Sequence, residues 1–175
     1  MLRNSFTFGG VDMRETYGIC ISEAHDVLFP QLRERKVVVP GRSGAYDYGA
    51  FAYDERILSL DCDIVRPTTR AQLREIAYVL AQKNRIVLWN EPEKYYIGRI
   101  YNAEELERVG TTQKHFTLEF TCDPFAYGKT VTEELAGGTN QLQYQGTAPT
   151  PTLIILRNVG TEPIQNLQIT AVYKR

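Results

Sequence analysis

Two acids one residue apart, Asp61-Cys62-Asp63, are the first place where this chain could do chemistry, as a metal-ligating or general acid/base pair. They sit in a run where Leu58, Leu60, Cys62 and Ile64 alternate with Ser59, Asp61, Asp63 and Val65. Period-two alternation is the mark of a strand with one face in a core, and it places both acids together on the other, water-facing side. A solvated strand face therefore accounts for the pair without catalysis. His115 and Glu119 share the polar face of a second such run, in which Phe116, Leu118, Phe120 and Cys122 are the apolar positions. No nucleophile accompanies them, so the pair reads as part of a solvated strand face rather than as a catalytic dyad.

Metal and nucleotide chemistry fare no better. Cys20, Cys62 and Cys122 are odd in number, far apart and without a C-x-x-C pair, so neither a disulfide framework nor a four-thiolate zinc site is expected. The two histidines, His25 and His115, would have to recruit distant ligands. The loop Pro40-Gly41-Arg42-Ser43-Gly44-Ala45-Tyr46-Asp47-Tyr48-Gly49 has three glycines but no Gly-Lys-Ser/Thr, and no helix pattern follows it directly. Gly128-Lys129-Thr130 has that triplet, but Asp123 stands where a phosphate loop needs its first glycine. No catalytic residue, cofactor or bound metal is expected. A small hydrolase using Asp61, Asp63 or His115 is the enzymatic alternative.

The elements that would position these residues are mostly strands. Besides the two alternating runs, Ser5 to Phe8, Lys36 to Val39, Arg85 to Trp89 and Tyr95 to Tyr101 read as strands. The last two are joined by the turn cluster Asn90-Glu91-Pro92-Glu93. One helix is expected from about Thr69 to Gln82. Thr69 and Gln72 have capping-box spacing, Leu73, Ile76, Ala77 and Leu80 make one apolar stripe, and Arg70 and Arg74 lie outside it. The Pro40–Gly49 stretch reads as a long exposed connection with positive backbone angles at its glycines. Residues 137–151 are rich in Gly, Thr, Gln and Pro and read as a linker, followed by strand-like runs at Leu153 to Leu156 and Leu167 to Tyr173.

Composition agrees with an ordered domain. Of 175 residues 43% are hydrophobic and 23% charged, and 20 Lys and Arg nearly cancel 21 Asp and Glu, which argues against a disordered tail and a basic nucleic-acid binder. No apolar run approaches the roughly 20 residues that span a bilayer, and Met1 to Gly10 lacks a signal-peptide core, so transmembrane and secreted readings are not expected. Charge is uneven locally. Gln31 to Ser43 carries net +3 and Asp54 to Asp63 net −3. Complementary strips of this kind serve either as solvated faces or as head-to-tail contacts between copies, and Tyr and Arg are the types best suited to anchor such a contact. Arg35, Arg42, Tyr46, Tyr48, Asp54 and Glu55 are the residues expected at it.

The order of segments also carries a resemblance. The Pro-Gly-Arg-Ser-Gly-Ala-Tyr-Asp-Tyr-Gly loop is followed by Tyr53-Asp54-Glu55-Arg56-Ile57, the Leu58–Ile64 strand, the single helix and the closing Phe120-Thr121-Cys122-Asp123-Pro124-Phe125-Ala126-Tyr127. Over roughly Met1 to Tyr127 this resembles the N-terminal domain of siphophage distal tail proteins of phages and prophages of Gram-positive bacteria. The resemblance implies an α+β, mostly β fold: a β-sandwich or split-barrel-like domain with one flanking helix, similar to tail-tube subunits, plus a short β tail. It implies a hexameric ring, the hub between the tail tube and the baseplate or tail tip at the distal end of the virion tail, assembled in the host bacterial cytoplasm.

The partners implied are the tail tube protein, the tape measure protein and tail-tip or tail-associated lysin proteins. DNA would pass through the lumen without specific binding. Members often continue into a galectin-like β-sandwich, and this chain ends at Arg175, too early to complete one. The expected division is a ring-forming domain over 1–136, a linker over 137–151, and the start of a second β domain or a vestigial β tail over 152–175. A tail-tube or tail-completion protein is the alternative within the same machinery.

Overall fold

A computed structural model describes residues 4–26, 29–49, 52–102, 107–109 and 113–172. In chain order the elements are β1 (Phe6–Phe8), β2 (Val11–Asp12), α1 (Met13–Tyr17), β3 (Ile19–Asp26), β4 (Lys36–Val38), β5 (Ala45–Asp47), β6 (Arg56–Ile64), α2 (Arg70–Leu80), β7 (Asn84–Leu88), β8 (Tyr96–Ile100), β9 (Glu107–Val109) and β10 (Gln113–Cys122). The class is α+β and mostly β, as the sequence predicts.

The two alternating runs become β6 and β10, paired antiparallel from Lys114 opposite Ile64 to Cys122 opposite Arg56. On one face Leu58, Leu60, Cys62, Ile64, Phe116, Leu118, Phe120 and Cys122 are all buried. Around this pair the main sheet runs β2-β1-β7-β8-β10-β6-β3, with β9 paired to β10, and it does not close on itself. Phe120 packs edge-on to Phe6 at 6.2 Å and stacks on Phe8 at 5.6 Å between ring centroids, which joins β10 to β1 through side chains. Gly98 of β8 faces Cys122, and a Cβ there would lie 2.5 Å from Cys122 Sγ and 3.0 Å from the Thr121 carbonyl oxygen. A glycine inside a strand marks such a close approach.

The helix α2 forms where the spacing places it, with both halves of the Thr69–Gln72 capping box present. Ile76 and Leu80 are buried and Leu73 packs beside them, but Ala77 is exposed. Val79 takes its place against the core. At about 100° per residue the packing face centres on Ile76 and Leu80 and turns toward Val79, so the small Ala77 falls at its outer edge.

Among the described residues, five elements go beyond the expected set: β2, α1, β3, β5 and β9. α1 is capped by Asp12, whose carboxylate accepts from the Arg14 and Glu15 backbone N–H groups, and it ends at Gly18 in the left-handed region. β3 follows and pairs with β6 along its length, with a register shift between Ile21 and Glu23. β5 forms within the glycine-rich stretch expected to be a loop, pairing Lys36 with Asp47, Val37 with Tyr46 and Val38 with Ala45. Gly41 and Gly44 at its turn have φ of 81° and 79°, the positive values expected there.

The chain divides into two compact units, Met1–Glu134 and Leu135–Arg175. The strands expected at Leu153 to Leu156 and Leu167 to Tyr173 are not formed among the described residues. Residues 128–172 carry no helix or strand there, and Leu153, Ile155 and Val172 are exposed. Two short strands with no third strand or apolar face to cover them do not hold a ladder in water. Tyr173 lies outside the described residues.

Candidate assembly surface

β4 and β5 make an arm that stands apart from the main sheet. Its stem is held by backbone bonds, Arg33 N–H to the Ala52 carbonyl at 2.9 Å, Asp54 N–H to Gln31 at 2.8 Å and Tyr48 N–H to Arg35 at 3.0 Å. Every residue from Gln31 to Tyr48 is exposed. Near the tip, the Arg42 guanidinium lies 5.4 Å from the centre of the Tyr46 ring, and Tyr46 meets Tyr48 edge-on at 4.9 Å. Cation–π and edge-to-face contacts of this kind hold three large side chains in a defined arrangement without burying them.

The root of the arm is clamped by a charged network. β3 ends at Asp26 and β6 begins at Arg56, so the arm leaves and re-enters the sheet between these two residues. Arg56 is buried, its Nη1 lies 3.3 Å from Asp26 Oδ2 and 3.5 Å from the Tyr96 hydroxyl, and its guanidinium stands 5.6 Å from the centre of the Tyr96 ring. Burial, followed by the nearby Asp26 carboxylate, pushes the Tyr96 phenol up from its ordinary value. Beside the arm's base is an open depression lined by Phe29, Gln31, Leu32, Glu34, Glu55 and Ile57. Its apolar members Phe29, Leu32 and Ile57 are exposed.

The six expected contact residues divide accordingly. Arg42, Tyr46 and Tyr48 come together on the arm. Arg35 is on the stem, and Glu55 lines the depression. Asp54 is engaged within the chain, 2.8 Å from Arg33 Nε, just as Lys36 is paired with Glu34 at 2.9 Å. The two charged strips are thus partly neutralised inside one copy. Arg35, Arg42 and Glu55 have no ion pair among the described residues.

The candidate hydrolytic residues are arranged differently from the expectation. Asp61 and Asp63 are only 24% and 22% exposed at the side chain, and each has a cross-strand partner. Thr117 Oγ1 donates to Asp61 Oδ1 at 2.6 Å, and His115 Nδ1 lies 3.1 Å from Asp63 Oδ1. Neighbouring strands narrow this face, so the acids are not simply solvated. His115 faces Asp63 and Glu119 accepts from Asn102 Nδ2 at 3.4 Å, so the two are engaged separately. A hydrolytic triad needs its hydroxyl bonded to the imidazole, whereas here Thr117 bonds to a carboxylate. Cys62 and Cys122 are buried, and burial pushes both thiols up, Cys122 to about 12, away from nucleophilic chemistry.

One grouping escaped the sequence reading. Glu23, His25 and Asp61 place their ligating atoms within 4.8 Å of one another. The strand carrying Glu23 and His25 was not anticipated, because its alternation holds only from Ile19 to Ile21. The Glu-x-His spacing is its one sequence signal.

A model of the phage tail protein RIFT-related domain matches residues 17–122, more than half of the chain. No curated protein matches. Among solved structures, this chain is similar to the SPP1 Dit protein, described as a paradigm of the hub adsorption apparatus in Gram-positive infecting phages. The TM-score is 0.59 at 23% identity, over 71% of this chain and 52% of that one. At that identity the likeness is one of fold, and this chain spans about half the length of the solved protein.

Proposed function

The chain belongs to the phage tail proteins of the RIFT-related domain family, and from that premise we propose that it is a non-catalytic structural hub. In this reading six copies form a ring between the tail tube and the baseplate or tail tip, at the distal end of the virion tail, assembled in the host bacterial cytoplasm. The ring contacts the tail tube protein, the tape measure protein and tail-tip or tail-associated lysin proteins. DNA passes through a neutral to acidic lumen without specific binding, since a basic channel would hold phosphates through counterion release. Residues 1–136 form the ring, 137–151 are the linker, and 152–175 are the start of a second β domain or a vestigial β tail.

The arm is the observation that carries this reading. An exposed hairpin with clustered Arg and Tyr is a poor element for a monomer and a good one for a heterologous contact. The proposed contact seats Arg42, Tyr46 and Tyr48 of one copy in the neighbour's depression, where Phe29, Leu32 and Ile57 supply apolar surface and Glu55 an acid with no ion pair among the described residues. A contact between unlike patches closes into a ring when the rotation per copy allows it.

Solution mass is the test. Six copies of 20.0 kDa give a particle of about 120 kDa. Reversing Arg35 and Arg42 to Glu should shift the assembled protein toward monomers, raised salt should act in the same direction, and adding Glu55→Arg should restore assembly. A double variant that assembles as the wild type at low salt rejects this contact. A wild type that stays monomeric at every accessible concentration rejects the self-assembling ring.

A further inference from the structure

The outer face of the β3–β6 pair presents two carboxylates and an imidazole to one point. His25 Nε2 lies 3.5 Å from Asp61 Oδ2 and 3.6 Å from Glu23 Oε1, and all three ligating atoms fall within 4.8 Å of one another. Around a tetrahedral ion with bonds of about 2.1 Å, neighbouring ligand atoms are roughly 3.4 Å apart. The two separations from His25 Nε2 are therefore close to the edges of such a shell, and the Glu23 and Asp61 oxygens, within 4.8 Å of each other, complete it by side-chain rotation.

A local irregularity in the backbone produces this convergence. From Ile19 to Ile21 the register with β6 is regular, Ile19 opposite Ile64 and Ile21 opposite Cys62, but Glu23 then stands opposite Asp61 and His25 opposite Ser59. Ser22 is the extra residue, and its hydroxyl donates to the Asp61 carbonyl oxygen at 3.0 Å. Continued without the bulge, the ladder would set Glu23 against Leu60 and His25 against Leu58, on the face that is buried in β6. A bulge re-aims the side chains that follow it. Here it moves an acid and an imidazole onto the face of Asp61.

We propose that Glu23, His25 and Asp61 bind a first-row divalent transition ion, with Zn²⁺ the best fit. One imidazole nitrogen with two carboxylate oxygens suits zinc and its neighbours, whereas Mg²⁺ and Ca²⁺ take all-oxygen shells. The Thr117 hydroxyl holds Asp61 by Oδ1, which leaves Oδ2 for the ion, the outer-shell orientation that ligating carboxylates use. Glu23 and His25 are exposed, so the remaining coordination position opens to solvent.

The test is calorimetric titration of untagged, chelator-treated protein with Zn²⁺, repeated in excess Mg²⁺. The site predicts one ion per chain, unaffected by Mg²⁺, with affinity lowered at least about tenfold in His25→Asn and in Glu23→Gln. Both positions are exposed, so the variants should fold. His115→Asn, which alters the imidazole facing Asp63, should bind as the wild type does. Absence of zinc binding at millimolar concentration overturns the site and leaves an ion-pair cluster only. Wild-type affinity in His25→Asn, or an equal loss in His115→Asn, overturns it too.

Discussion

Removing either partner of the Asp26–Arg56 pair deletes the same ion pair, yet the structure predicts unequal costs. Arg56 is 8% exposed, whereas the Asp26 side chain is 35% exposed. Asp26→Ala strands a buried guanidinium that, among the described residues, keeps the Tyr96 hydroxyl at 3.5 Å and the face of the Tyr96 ring. Breaking a fully buried pair in this way costs about 3–5 kcal/mol. Because Asp26 is partly in water and the contacts are long, at 3.3 and 3.4 Å, the expected loss is nearer about 2–3 kcal/mol. Arg56→Met leaves Asp26 with water and the Tyr96 hydroxyl, keeps an apolar stem in the core, and removes a buried Nε that lacks a hydrogen-bond partner. It forfeits a cation–π contact worth about 0.5–1 kcal/mol, so its stability should lie within about 1 kcal/mol of the wild type. Urea unfolding at fixed protein concentration, followed by circular dichroism and by Trp89 fluorescence, measures both. An Arg56→Met loss equal to or above that of Asp26→Ala refutes the reasoning. Asp26→Ala should also loosen the arm root and weaken assembly, whereas Arg35→Glu with Arg42→Glu should weaken assembly without changing the urea midpoint of the dissociated chain.

Ile76→Ala should cost about 2–4 kcal/mol in the same assay, whereas Ala77→Ser at the exposed edge of the helix should change stability by less than about 0.5 kcal/mol. Burial alone would push the Asp12 carboxyl up, but its hydrogen bonds from Ser5 and from the Glu15 and Arg14 N–H groups outweigh this and leave its pKa below the ordinary value. Asp12→Ala should therefore cost about 1 kcal/mol near neutral pH. A depressed folded-state value gives stabilisation that is present above the unfolded value and lost as pH falls through the folded one, so the gap to wild type should narrow below about pH 4. Native protein treated with a maleimide should label at Cys20 first, with Cys62 and Cys122 reacting only after unfolding, as read by intact mass.

What the chain determines locally was legible in it. Alternation over 58–64 and 116–122 named the buried faces of β6 and β10, because side-chain period alone assigns the face of a regular strand. The Thr69–Gln72 box and the Ile76 and Leu80 spacing placed α2, since caps and helical period are short-range signals. Asp12, Glu15 and Gly18 were an equally local mark of α1 that the five-residue helix makes easy to pass over. Other features depended on partners distant in sequence. β5 exists because Lys36–Val38 lies across from it, and a stretch rich in glycine and tyrosine does not announce a strand. His115 faces Asp63, and Asp61 faces both Thr117 and His25, only once β3, β6 and β10 are in register. The Ser22 bulge has no short-range signature, yet it decides which face of the sheet Glu23 and His25 occupy. Local preference sets which residues alternate or coil, whereas long-range strand register sets which of them meet, and the candidate sites of this protein are built from the residues that meet.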